Sequence, residues 1–233
     1  MKRACVIVPA YNESPVIAGV IRQSKKVFDK AKGYTIDIVV VNDGSKDTTS
    51  DEARKGGARV IDHILNSGAG GATLTGLAYA QQNDYDAAAT MDADGQHDPQ
   101  DVLKGFDELF KTNNDLLIGS RLIDNKGMSW VKVVGNWGLS FGTWILFGAK
   151  TTDSQSGLRI FGPNALEKLR WNASGYEFCS EMLWRAKQQK LVINEFPISA
   201  IYTDYSKSKG QNNWNGVNIV KTLIRYRLME LFE

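Results

Sequence analysis

In the first half of the chain, short apolar runs alternate with stretches where apolar residues return every three to four positions. Cys5-Val-Ile-Val-Pro9 reads as a buried strand closed by Pro9. Apolar residues at 16, 17, 20, 21, 27, 28 and 31 mark a helix over 16–31. Ile36–Val41 is a second strand, ended by the turn residues Asn42-Asp-Gly-Ser45. A short polar helix runs from Asp47 to Lys55, and Arg59–Ile61 is a brief strand. Gly68-Ala-Gly-Gly71 opens a helix to about Gln82, and Ala87–Met91 is a buried strand closed by Asp92. Asp98 and Pro99 suit the N-cap and first position of a helix to Lys111, and Asp115–Gly119 is the next strand.

This alternation predicts an α/β fold, a mixed, mostly parallel sheet flanked by helices. Right-handed crossovers bring the loops after the strands to one edge. Those loops are Pro9–Glu13, Asn42–Ser45, Asp92–Gln96 and Gly119–Arg121, and they hold most of the unusual polar residues. The second half is less regular. Helices are predicted over 129–147, 176–189 and 217–232, a polar turn over 152–157 leading into Leu158–Phe161, an extended stretch over 191–203 and a basic polar segment over 205–213.

Composition changes this picture little. At 233 residues, 42% hydrophobic and 23% charged, the chain fits one large domain that folds without a disulfide or metal staple. Lys and Arg number 28 against 26 Asp and Glu, which leaves no broad field for nucleic acid. Cys5 and Cys179 form neither a disulfide framework nor a zinc spacing, so a reducing compartment is expected. The apolar stretch Ala4–Ala10 is too short for a signal peptide, and the charge-free Trp137–Ala149 is too short for a span. The expectation is a soluble or peripheral protein.

Asp92-Ala93-Asp94 is the sharpest candidate for chemistry. On extended backbone, residues i and i+2 point to the same side. Two carboxylates held together resist joint ionisation unless a cation joins them. A Mg2+ or Mn2+ ion gripping a diphosphate is one reading; an acidic turn capping the next helix is the other. For Asn42–Ser45 turn chemistry is sufficient, although Asp43 would also accept hydrogen bonds from a nucleobase edge. Gly68-Ala-Gly-Gly71 is neither a P-loop nor a dinucleotide fingerprint, and close helix packing explains it equally well.

Six segments in order carry a resemblance: Val8-Pro-Ala-Tyr-Asn-Glu13, Val41-Asn-Asp-Gly-Ser45, Asn66 with the glycines, Met91-Asp-Ala-Asp-Gly-Gln-His-Asp-Pro99, Gly119-Ser-Arg121 and Thr152-Asp-Ser-Gln-Ser-Gly-Leu-Arg159. Together they resemble family 2 glycosyltransferases of GT-A fold, and within them the dolichyl- or polyprenyl-phosphate sugar transferases of the dolichol-phosphate mannose synthase type. The resemblance implies a GT-A domain over 1–210, followed by a C-terminal amphipathic segment over 211–233. It implies a nucleotide-diphosphate sugar donor and an inverting, Mg2+- or Mn2+-dependent transfer. Pro9, Tyr11, Glu13 and Asp43 would contact the nucleotide. Asp92 and Asp94 would hold metal and diphosphate, with Ala93 and Gln96 beside them. Arg121 would face donor or acceptor phosphates, and Asp153 and Arg159 would lie on the acceptor side. A surface ion pair and a turn cap are the plainer readings of Arg121 and Asp153.

Two departures stand out. Gly68-Ala69-Gly70 occupies the place of a common Gly-Lys-Gly. Lys207-Ser208-Lys209 resembles the end of a G-x-S-K element, but Thr203 stands where mannose synthases carry an arginine. Each removes a cation near the diphosphate, so GDP-mannose and UDP-sugars both remain open as donors. The acceptor sets the remaining chemistry. A polyprenyl phosphate, dolichyl or undecaprenyl, is anionic near neutral pH and needs cations; Arg121, Arg159, Lys207 and Lys209 suit it. A sugar hydroxyl in a cell-wall or surface polysaccharide needs a base, and Asp153 is the best candidate. Two other classes match parts of the sequence. Asp92-Ala-Asp-Gly95 also resembles a haloacid-dehalogenase motif, but on a middle strand and followed by Gln96. A non-catalytic nucleotide-sugar-binding subunit is the other.

Trp130, Trp137 and Trp144 recur every seven residues with Phe141 on nearly the same face. Such a stripe packs into a core more often than into a bilayer interface. Val217, Val220, Ile224, Leu228 and Leu231 share one face of the last predicted helix, with Lys221 and Arg225 on another; interfacial and docked readings are equal. Many relatives continue into membrane helices. For this chain, peripheral attachment to the cytoplasmic membrane face, a small membrane-anchoring subunit and a truncated terminus all stay open.

Overall fold

The structure, a computed structural model, describes residues 1–124, 128–203 and 205. Lys207, Lys209 and the expected helix over 217–232 lie outside the described residues, as does the proposed 210/211 boundary.

Among the described residues seven strands form one sheet: β1 (Lys2–Ala10), β2 (Tyr34–Asn42), β3 (Arg59–Asp62), β4 (Ala87–Thr90), β5 (Leu116–Ser120), β6 (Arg159–Phe161) and β7 (Ile193–Pro197). Their order is β3-β2-β1-β4-β6-β5-β7. Neighbours pair in parallel except at β6, which runs antiparallel to both β4 and β5. The helices are α1 (Ile17–Phe28), α2 (Thr49–Gly56), α3 (Gly68–Gln82), α4 (Pro99–Lys111), α5 (Trp130–Phe147), α6 (Pro163–Lys168) and α7 (Phe178–Gln188).

β1 reads as an unbroken apolar run because both of its faces are covered. Ala4, Val6 and Val8 pack with Ile17 and Ile21 of α1 and Val102 and Phe106 of α4. Cys5 and Ile7 pack with Leu77 and Ala80 of α3 and Met182 and Leu183 of α7. The strand continues through Pro9 rather than ending there. Ile7 accepts from Met91 N, and Pro9, two residues on, faces the same neighbour beyond the last β1–β4 pair, Ile7–Thr90. Its missing N–H therefore falls where the ladder has already stopped.

Among the described residues the expected elements are present, with shifted ends, and α6 is an addition. Its six residues are too few to show a period, although Gly162-Pro163 is a fitting start. The stripe on α5 is a correction: Trp130, Trp137, Phe141 and Trp144 face outward, not into a core. The buried residues of α5 are Ser140, Thr143 and Phe147.

Candidate active site

The antiparallel strand decides what meets at the carboxyl edge of the sheet. β1, β2, β4, β5 and β7 end there, while β6 begins there. The 152–157 turn therefore joins the site through the entry to β6 instead of an exit from it.

β4 delivers the acid pair. Thr90 Oγ1 donates to the Gly157 carbonyl at 2.7 Å, which lays the turn alongside. The Asp92 side chain is 53% exposed, and buried His97 places Nε2 3.0 Å from its Oδ2. Lost hydration opposes the Asp92 charge, but His97, Arg121 and Arg159 outweigh it and hold the carboxyl below the usual range. Asp94 moves the other way. Lost hydration and the charge on Asp92 raise it, against hydrogen bonds from the Gln96 backbone and side-chain amides. Neighbouring acids split in this way are a frequent mark of a functional site. Among the described residues no cluster of three or more His, Cys, Asp or Glu could hold a metal. The pair fits a hard divalent ion whose other positions are filled by water or diphosphate oxygens.

Arg121 and Asp153 form a two-pronged ion pair beside these acids. Nε reaches Oδ2 at 2.7 Å and Nη2 reaches Oδ1 at 2.8 Å, while the Arg121 backbone N–H also donates to Oδ2. Asp153 is fully buried. Burial works against the Arg121 charge, and Asp153 more than restores it. Ser120 Oγ meets Thr152 Oγ1 at 2.7 Å, and Glu195 of β7 accepts from Thr151 Oγ1, Thr152 N and Thr152 Oγ1. The arginine is thus fixed between the end of β5 and the turn that enters β6, which Glu195 of β7 holds in place. Lys132 of α5 lies 4.0 Å over the Tyr202 ring, and lost hydration and the Arg121 charge lower its pKa.

At the other end of the edge, the loops after β1 and β2 interlock. Asn12 N donates to Ser45 Oγ, Lys46 N to Asn12 Oδ1 and Glu13 N to Thr49 Oγ1. Asp43 Oδ1 accepts from Ser67 N, Ser67 Oγ and His63, and its Oδ2 accepts from Gly68 N. It anchors the start of α3 from a separate loop. Gly68 and Gly70 leave room for a neighbouring backbone, and Gly68 also has a left-handed φ of 81°. A Cβ on either would meet Ser174 O or Ala173 O at 2.3 and 2.2 Å.

The family model for glycosyl transferase family 2 matches residues 5–170. The chain belongs to this family. UDP-N-acetylglucosamine–dolichyl-phosphate N-acetylglucosaminyltransferase of Methanococcus voltae is a relative at 38% identity, over 98% of this chain and 97% of that protein. An uncharacterized protein of Methanocaldococcus jannaschii is 42% identical over 96% of this chain and 91% of its own length. Glucosyl-3-phosphoglycerate synthase from Mycobacterium tuberculosis, solved in complex with Mn2+, uridine-diphosphate and phosphoglyceric acid, shares the fold. Its TM-score is 0.72 at 19% identity, covering 98% of this chain and 78% of that one. The architecture is the GT-A fold.

Of the residues expected at the site, Tyr11, Glu13, Asp43, Asp92, Asp94, Gln96, Arg121 and Asp153 gather on one edge, Pro9 lies half-buried just before them, and Ala93 turns into the core. Glu13 accepts from Tyr205 Oη at 2.9 Å. Two placements differ from expectation. Asp153 does not stand open to an acceptor, because both its oxygens hold Arg121. Arg159 is 1% exposed. β6 lies inside the sheet, so this side chain is forced under α7, donating to Ser154 O and lying 5.5 Å over the Phe178 ring. His97, His63, Lys132 and Glu195 were not anticipated. His97 had a signal, since it stands inside the acidic motif; the others come from distant segments.

Proposed function

We propose that this family 2 glycosyltransferase moves a hexose or N-acetylhexosamine from a nucleotide-diphosphate sugar, a UDP-sugar or GDP-mannose, to a polyprenyl phosphate. The transfer is inverting, depends on Mg2+ or Mn2+, and takes place at the cytoplasmic face of a membrane. The observation that carries it is the oppositely shifted pair Asp92 and Asp94 beside a cation, Arg121, braced from behind by Asp153. The acceptor class is supported by what the M. voltae relative's name says it acts on, and the metal by the Mn2+ in the mycobacterial complex.

Asp92 and Asp94 would hold a divalent cation, which when bound would supply positive charge to the departing diphosphate. Arg121 spends Nε and Nη2 on Asp153, which leaves Nη1 to donate to a phosphate oxygen. Asp43 Oδ2 has one acceptor position to spare for the N–H of a uracil or guanine ring. The lipid phosphate has a second pKa of about 6, so its attacking oxygen is already anionic near neutral pH. That oxygen bonds to the anomeric carbon from the face opposite the diphosphate, whose bond to the same carbon breaks. No carboxylate base is needed, which agrees with Asp153 being committed to Arg121.

The test pairs Mn2+ and a polyprenyl phosphate with UDP-N-acetylglucosamine first, then UDP-glucose, UDP-galactose and GDP-mannose; soluble oligosaccharide is the parallel acceptor. A prenyl-phosphate-linked sugar from one donor is expected, abolished by EDTA and reduced on the order of 100-fold in Asp94→Asn. Product on oligosaccharide alone, or full activity in Asp94→Asn, would overturn the reading.

A further inference from the structure

α5 has its polarity inverted. Its two hydroxyl side chains face the protein: Ser140 Oγ accepts from Ser154 N at 2.9 Å, and Thr143 Oγ1 meets Ser180 Oγ at 2.9 Å. Most of the large apolar ones face out, with Trp130 75%, Ile145 62%, Trp137 60% and Trp144 48% exposed, while Phe147 in the last turn packs inward on Trp184. Trp137 stacks on Phe141 with ring centroids 5.3 Å apart, and Phe141 lies 5.8 Å from Trp144, which makes a continuous ridge. A Cβ on Gly135, Gly138 or Gly142 would meet nothing within 4 Å, so the surface beside the ridge is open. Contiguous apolar faces on this scale mark interaction or membrane sites.

The chemistry of the segment selects the occupant. Residues 125–152 contain no Asp or Glu and three lysines, Lys126, Lys132 and Lys150. An acid-free stretch with cations at its ends and tryptophans between them complements anionic headgroups over a hydrocarbon boundary. The indole ring, apolar with a polar N–H, favours that boundary over either bulk phase. No helix among the described residues is long and apolar enough to cross a membrane. A helix of 18 residues is about 27 Å long and suits lying in the surface plane. The face also adjoins the candidate site, because Lys132 of its first turn packs on Tyr202 beside Arg121.

We infer that α5 is the surface on which the protein seats itself on an anionic phospholipid bilayer, with Trp130, Trp137, Phe141 and Trp144 in the interface. The lipid acceptor of the proposed function gives this surface its use, but the surface can be tested without it. The full chain is mixed with vesicles of phosphatidylcholine containing a quarter phosphatidylglycerol and no polyprenyl phosphate. Co-sedimentation and quenching of tryptophan emission by brominated acyl chains are expected. The double variant Trp137→Gln/Trp144→Gln should bind at least about ten-fold more weakly, while its thermal shift with UDP and Mn2+ stays at the wild-type value. Wild-type protein left in the supernatant, unquenched emission, or a double variant that binds as well as wild type would sink the inference. So would a concentration-dependent dimer that the variant abolishes while vesicle binding persists. Wild-type vesicle binding without any nucleotide-dependent shift would support the docking surface and count only against the transferase reading.

Discussion

A Cβ built on Gly157 would lie 2.5 Å from both carboxylate oxygens of Asp92. Gly157 is not among the glycines with positive φ, so the residue is needed for space and not for backbone conformation. The turn entering β6 leaves an opening the size of one methyl group, and the acid at the end of β4 fills it.

Gly157→Ala should therefore swing Asp92 away while the sheet stays intact. A displacement of about 1 Å in a positioned group costs on the order of 100-fold in rate. Sugar transfer and the UDP/Mn2+ thermal shift should fall together, with the melting temperature of the ligand-free protein little changed. A variant with wild-type transfer would show that Asp92 need not stand where it does.

Arg121 and Asp153 should behave as a unit. Arg121→Ala leaves a fully buried carboxylate unpaired, which costs about 3–5 kcal/mol. The double change Arg121→Ala/Asp153→Ala removes that stranded charge and should recover much of the stability in urea unfolding, but none of the activity. Arg121→Lys keeps the charge, loses the fork and should remain impaired.

Asp94 links metal affinity to pH. Its pKa is raised above the ordinary 3.8 by lost hydration and by Asp92. A cation binds the ionised pair, so Mn2+ affinity should climb as pH rises through the Asp94 titration and then level off, as followed by calorimetry. Without metal the sign for folding is the reverse. A raised folded value favours the fold below the unfolded pKa, and this contribution is lost as pH rises through the folded one. Asp94→Asn should flatten both dependences.

Asp43 gives the opposite case. Burial raises it, but hydrogen bonds from Ser67, His63 and Gly68 prevail and hold it below the ordinary 3.8. Its contribution to stability is present above that value and lost as pH falls through the folded one. Asp43→Asn should cost about 1–3 kcal/mol near neutral pH, and the gap from wild type should close on acidification below 3.8. A gap independent of pH would mean that charge plays no part.

What the sequence determined by itself is the local order. Apolar runs such as Cys5–Val8 and Ala87–Met91 and the helical period at 16–31 set the elements, because period and burial are written in neighbouring residues. The edge carrying Asp92, Asp94, Asp43 and Arg121 followed from strand-helix alternation and the handedness of crossovers. Contacts between distant segments were settled only in three dimensions. The reversal of β6 buried Arg159 and brought Asp153 behind Arg121, and nothing within three strand residues records a direction. The seven-residue spacing on α5 favoured a core over an interface only by general tendency, since periodicity shows that residues share a face but not what that face meets. Packing Ser140 and Thr143 against 154 and 180 turned the tryptophans outward.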